Sequence, residues 1–338
     1  MTNEFLLQTV FVLVLTYSFL NGYLDGGSLV STVVSSRVLS PISARLLVAF
    51  FEIVGLLFLG HHVAETVRFK MLPLPATLPA TDSLGILIAA LVATLFWNIT
   101  MWKLSLPSSS SHALMGALAG SLAAHLGWQG VPWRIFASIF LLMAIAPIVA
   151  SALGFLLTKF FYLVGAYLTP ASKHFFEGLQ LLALAGVAMV HGSNDGQKSL
   201  GLLWVGTTVI GHGTNSLSQS HLTLWCGATL AFGVLGGSLR MMKTVGKKLY
   251  RVQSLQSFCS ETATVAVVGL SSWQGYPIST THVISTSVLG VGAAVHPRGV
   301  RWDIMADMAL AWVVTIPCAG ILAFVLGSIG KGFLHVVS

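Results

Sequence analysis

The chain has 338 residues, of which 55% are hydrophobic and only 8% charged, with formal net charge +7. A soluble domain carries about a quarter charged residues. This composition and a mean hydropathy of +0.85 exclude a cytosolic enzyme, a nucleic-acid binder and a secreted scaffold, and leave an integral, multi-pass membrane protein.

The N-terminal segment carries Glu4 and lacks the positive n-region of a signal peptide, so 5–20 reads as a retained first membrane helix. Further apolar stretches fall at 27–36, 43–66, 84–102, 108–127, 134–168, 176–190, 199–212, 221–239, 253–272, 278–295 and 304–328. Several are short of a full crossing, so the expected fold is all-α, with about 10–12 transmembrane or half-membrane helices and re-entrant hairpins. The stretch 134–168 is long enough for a broken pair. Short, glycine-punctuated pieces are informative, because non-helical backbone at membrane depth survives only inside protein or beside a wet cavity. Pro73 to Pro79 forms a rigid loop. The densest basic loop, Arg240 to Arg251, is assigned to the cytoplasmic face by positive charge, with lipid or partner docking as the alternative.

Two motifs recur at one offset. NGYLDG at 21–26 aligns with HGSNDG at 191–196, and PSSSSH at 107–112 with PISTTH at 277–282, both 170 residues apart; Gly120 and Gly290 keep the same spacing. The chain therefore reads as a first repeat over 1–127, connecting helices over 128–174, a second repeat over 175–295 and a C-terminal helix over 296–338. Repeats in membrane proteins point to a transporter, whose binding site lies at the repeat interface near the bilayer midplane.

Asp25 and Asp195 form a symmetric pair among glycines, which are expected to break the helix beside them; Asn21 and Asn194 add amide groups. A capping aspartate in a loop is the plain alternative. Ser108 to Ser111 and Ser279 to Thr281 each follow a proline and precede an apolar run, as helix starts do. A helix N-terminus favours anions, and two of them converging would surround a tetrahedral oxyanion with neutral donors. Ordinary capping and interhelical packing are the alternative. His112 and His282 end the two motifs and either titrate or make structural hydrogen bonds. Glu52 and Glu261 lie inside apolar helices and must be protonated or paired. Lys198, three residues after Asp195, either faces the site or snorkels outward. Glu65 reads as a solvated partner of Arg68, and Asp307 has no repeat partner. Cys226, Cys259 and Cys318 read as inert thiols, and His61-His62 lacks metal-ligand spacing. No Walker A loop is present, so nucleotide hydrolysis is not expected to drive transport.

These residues resemble the inorganic phosphate transporter (PiT) family over most of the chain. HGSNDGQKSLG at 191–201 is similar to the family signature, as are PISTTH, RVLSP at 37–41, FEIVGLLFLG with Glu52 and SETATVAVV with Glu261. The resemblance implies secondary active uptake of inorganic phosphate by symport with H+ or Na+, through inverted repeats. It needs no catalytic residue, resident metal or cofactor. Carried over by position, Ser109, Ser110, Ser111, Ser279, Thr280, Thr281 and Asn194 would bind phosphate. Asp25, Asp195, Glu52 and Glu261, with Asn21, would handle the cation. The first copy departs from the signature at Leu24 and Ser28; fewer neutral ligands favour H+ coupling. A sulfate or other oxyanion permease is the alternative, and a channel or receptor a third reading. The expected surroundings are the cell inner (plasma) membrane and its lipids, with no nucleic acid and with homo-oligomerisation left open.

Overall fold

The computed structural model describes residues 3–104, 108–165, 172–211, 216–237, 242, 249–250 and 252–337. Most of the basic segment 240–251 lies outside the described residues. All regular structure among the described residues is helical. The main elements are α1 (Asn3–Leu29), α2 (Ser31–Ser35), α3 (Pro41–Phe58), α4 (His62–Glu65), α5 (Ala80–Lys103), α6 (Ser110–Leu126), α7 (Trp133–Gly165), α8 (Ser172–His191), α9 (Gln197–Val209), α10 (Ser216–Gly236), α11 (Ser254–Trp273), α12 (Thr280–Val295) and α13 (Trp302–Val337). Six helical stretches among the described residues are long and apolar enough to cross a membrane. Their outer faces carry exposed Ile148, Leu163, Val313 and Ile321, which a bilayer accepts and water does not.

Three expectations about local structure change. The glycines of the first motif do not break the helix: α1 runs unbroken through Asn21, Asp25 and Gly27 to Leu29. In the second motif α8 and α9 are joined by a π-helical turn over Gly192–Gly196, which widens the helix without ending it. The stretch 134–168 is not a broken pair; α7 is continuous from Trp133 to Gly165 with Pro147 inside it.

The glycines act through close approach instead. A Cβ on Gly22 of α1 would strike the Leu230 carbonyl of α10, and one on Gly192 would strike the Glu52 carbonyl of α3. Conversely, Gly233 of α10 sits against the Phe19 carbonyl, and Gly55 of α3 against the Met189 carbonyl. Small residues let membrane helices pack backbone to backbone, where lipid gives no hydrophobic drive to association. These contacts fix a register: α1 meets α10 as α8 meets α3. In that register the position equivalent to Glu52 is Leu230, so Glu261, on α11, is not its symmetry mate.

The ends of the two halves are exchanged. α6 packs on α13 and α12 on α7, with Gly120 against the Gly320 carbonyl and Gly290 against the Ser151 carbonyl. Thus α7 and α13 play equivalent parts, and α7 is more than the connector expected over 128–174. The main apolar core lies among α1, α5, α6 and α9, including Val10, Leu87, Leu118 and Leu203. A second lies among α2, α3 and α8, including Val33, Val48 and Leu184.

Candidate functional site

α6 has 17 residues and α12 has 16, which at 1.5 Å per residue is about 25 Å, short of a full hydrocarbon crossing. Each begins at an extended serine. Ser109 accepts a hydrogen bond from the His112 N–H at 3.2 Å, and Ser279 from the His282 N–H at 3.5 Å. Ser109 Oγ in turn donates to Ser279 Oγ at 2.8 Å. The two caps touch, so the two helix N-termini open onto the same buried volume. The backbone before α12 is irregular from Tyr276 to Ser279, and Ile278 and Ser279 are buried in protein. That meets the condition for unpaired backbone at membrane depth.

The remaining hydroxyls face the two aspartates in a cross-paired pattern. Asp25 accepts from Ser110 at 3.3 Å and from Thr281 at 2.5 Å. Asp195 accepts from Ser111 at 3.3 Å and from Thr280 at 2.8 Å. Each carboxylate therefore lies within hydrogen-bond reach of one hydroxyl from each N-terminus, with Ser110 and Ser111 sharing their single protons with Asn21 Oδ1 and the Ile278 carbonyl. Asn21 bridges the halves: its Nδ2 donates to Asp195 at 3.2 Å, and its Oδ1 accepts from Ser110. Lys198 is fully buried and faces the site; its Nζ lies 2.7 Å from Asp195 Oδ1. His191 Nδ1 lies 2.6 Å from Glu52 Oε1, while its Nε2 is 3.5 Å from Asp195 and 3.9 Å from Asp25. Ligand atoms of Asp25, His191 and Asp195 lie within 4.8 Å of one another, a group able to hold a cation.

Residues 21–323 match the PHO4 phosphate transporter family. The chain belongs to the phosphate transporter family. Its similar relatives include proteins described as probable low-affinity inorganic phosphate transporters. The one from Rhizobium meliloti is 34% identical, covering 94% of this chain and 94% of the relative. The one from Bacillus subtilis is 31% identical, covering 98% of each. A solved structure, "The sodium-dependent phosphate transporter", shares the fold with a TM-score of 0.84 at 20% identity, over 98% of this chain and 100% of that one. The chain is a multi-pass membrane protein of a transporter family.

Against this family site, two expected residues sit differently. Asn194 uses its amide on the segment before α12: Nδ2 donates to Ser272 Oγ at 2.8 Å and to the Tyr276 carbonyl at 3.2 Å, and Oδ1 accepts from the Ile278 N–H at 3.1 Å. With those groups engaged, it holds the segment before the α12 N-terminus. Glu261 accepts from Thr32 on α2 at 2.5 Å and shares no hydrogen bond with the central cluster among the described residues. The His112 and His282 rings lie tilted with centroids 4.3 Å apart, and His282 stacks on Trp312 at a centroid distance of 3.6 Å. Glu65 lies 3.9 Å from His62, whereas Arg68 sits over the Phe69 ring. Asp307 is exposed on α13. All three cysteines are free.

His191 is the member of the buried cluster that the motif reading missed. It stands at the repeat position of Asn21, four residues before Asp195, so the offset that selected Asn21 also selects it. The three-residue step from Asp195 places Lys198 on the same helical face.

Proposed function

We propose that this protein takes up inorganic phosphate across the plasma membrane by symport with a cation, through alternating access around the paired N-termini of α6 and α12. The cross-pairing of Asp25 and Asp195 with hydroxyls from both N-termini carries this reading. The N–H groups of the two first turns, joined by the hydroxyls of Ser110, Ser111, Thr280 and Thr281 when a bound cation takes their place on the carboxylates, form a donor set suited to a tetrahedral oxyanion. Two carboxylates beside that anion repel it, and a co-bound cation offsets the repulsion; this is the physical origin of coupling. Alternating access accords with a site shared between two equivalent halves.

The carboxylates also favour phosphate over sulfate. Hydrogenphosphate carries a P–OH that can donate to Asp25 or Asp195, whereas sulfate near neutral pH offers acceptors alone. A carboxylate facing sulfate meets only acceptors and gains no hydrogen bond from it, so the like charges repel without compensation. Proton coupling is the preferred form. A proton needs a single carboxylate, whereas Na+ needs several oxygens, and the only side-chain carboxylates of the ion-holding group among the described residues are Asp25 and Asp195. Radiolabelled phosphate uptake into proteoliposomes, with pH and Na+ gradients imposed separately, tests the proposal. Accumulation driven by inward H+ and resistant to excess sulfate is expected. Uptake that follows only the phosphate gradient would overturn the symport reading.

A further inference from the structure

Lys198 offers an observation that the transport reading does not use. Its side chain is fully buried, and its ammonium has three oxygen partners: Asp195 Oδ1 at 2.7 Å, the Ile278 carbonyl at 2.7 Å, and Ser111 Oγ. An ammonium has three N–H bonds and no acceptor, so these partners use its donors completely. It has none left for phosphate. A carboxylate, a hydroxyl oxygen and a peptide carbonyl freed by irregular backbone are oxygen ligands for a monovalent cation, and transporters use unwound carbonyls in this way.

The other half lacks this arrangement. Position 28, equivalent to Lys198 by the 170-residue offset, is serine. Ser28 is fully buried, and its hydroxyl makes no hydrogen bond among the described residues. Asp25 keeps its two hydroxyl donors but has no lysine beside it. Two equivalent carboxylates therefore have unequal surroundings: one with a tethered cation, one without.

We infer that the Lys198 ammonium is a resident cation filling the monovalent-cation position formed by Asp195, Ser111 and the Ile278 carbonyl, so that this position takes no free Na+ during transport. The charge of Asp195 is neutralised from within the chain, three residues along the same helix. The mobile cation is left to the Asp25 half, and the number of ions moved per phosphate is one lower than two open positions would give. The consequence for stoichiometry rests on the transport reading; the binding claim does not.

The test is equilibrium binding of radiolabelled Na+ to the purified full-length chain, without phosphate, paired with thermal unfolding in Na+ and in choline. Lys198→Ala is expected to bind one more Na+ per chain than wild type and to be stabilised by Na+ but not by choline. Lys198→Ala with Asp195→Asn, which removes both charges together, is expected to fold and to lose the additional Na+. A folded Lys198→Ala that binds no more Na+ than wild type would overturn the inference. So would additional Na+ binding retained in the double variant, or a Lys198→Ala protein that Na+ cannot bring to a folded state. If wild type fails to transport phosphate while Lys198→Ala gains its Na+, the transport reading falls and the resident cation stands.

Discussion

The Ser109 hydroxyl donates to the Ser279 hydroxyl across 2.8 Å, joining residues 170 positions apart in the chain. Both are caps, and their contact forces the first turns of α6 and α12 into one buried volume. The partial positive ends of two helices are thereby aimed at the same place. Both carboxylates, the bridging amide of Asn21 and the Lys198 ammonium surround it.

Asp25 has no lysine partner, so Asp25→Asn removes a charge without leaving a buried cation unpaired. The variant is expected to fold normally and to lose gradient-driven phosphate accumulation in proteoliposomes. Wild-type accumulation would remove Asp25 from the coupling step. Asp195→Asn is expected to lose transport and stability together, because breaking a buried ion pair costs about 3–5 kcal/mol.

In the proposed mechanism the hydroxyl donors carry substrate affinity. A neutral hydrogen bond contributes about 0.5–1.5 kcal/mol, so Ser110→Ala and Thr281→Ala should each raise the KM for phosphate by about two- to tenfold. Initial uptake rates over a range of phosphate concentrations measure this. An unchanged KM in both variants counts against the cradle.

Glu52 holds the buried His191 ring through its Nδ1. Glu52→Ala leaves that imidazole without its partner beside two aspartates, and a fall in thermal stability of roughly 1–3 kcal/mol is expected. Glu52→Gln keeps an acceptor oxygen and should recover most of the stability. If transport depends on the negative charge, glutamine will restore folding without restoring uptake; equal recovery of both would assign Glu52 a purely structural part.

Gly192→Ala places a Cβ on the Glu52 carbonyl, where backbone must shift. Overpacking of this kind costs about 1–3 kcal/mol, and here it also displaces His191 from Glu52. A lower unfolding temperature and reduced uptake are expected. Gly178→Ala, whose Cβ would meet nothing within 4 Å, is the matched control and should be neutral or slightly stabilising.

Much of the site was legible in the residues because two motifs repeat at one spacing and each carries chemistry. Asp25, Asp195 and the hydroxyl runs follow from that repeat alone. Two readings failed because they treated glycine as a breaker. Gly22 and Gly192 lie within wound helix, and their missing side chains admit the neighbouring backbone; only the partner helix, absent from a local reading, reveals that purpose. The partners of Asn194 were hidden for a similar reason, since Ser272, Tyr276 and Ile278 lie about eighty residues away. The equivalence of α7 and α13 was equally hidden, because exchanged helices pack against the opposite half.

In the proposed mechanism phosphate is held where the N-termini of α6 and α12 meet. Equilibrium binding of radiolabelled phosphate to the purified protein tests this directly, comparing wild type with a variant carrying alanine at Ser110, Ser111, Thr280 and Thr281. Saturable binding by wild type and its loss in the variant, with unfolding still cooperative, are expected. Undiminished phosphate binding by the variant would contradict it.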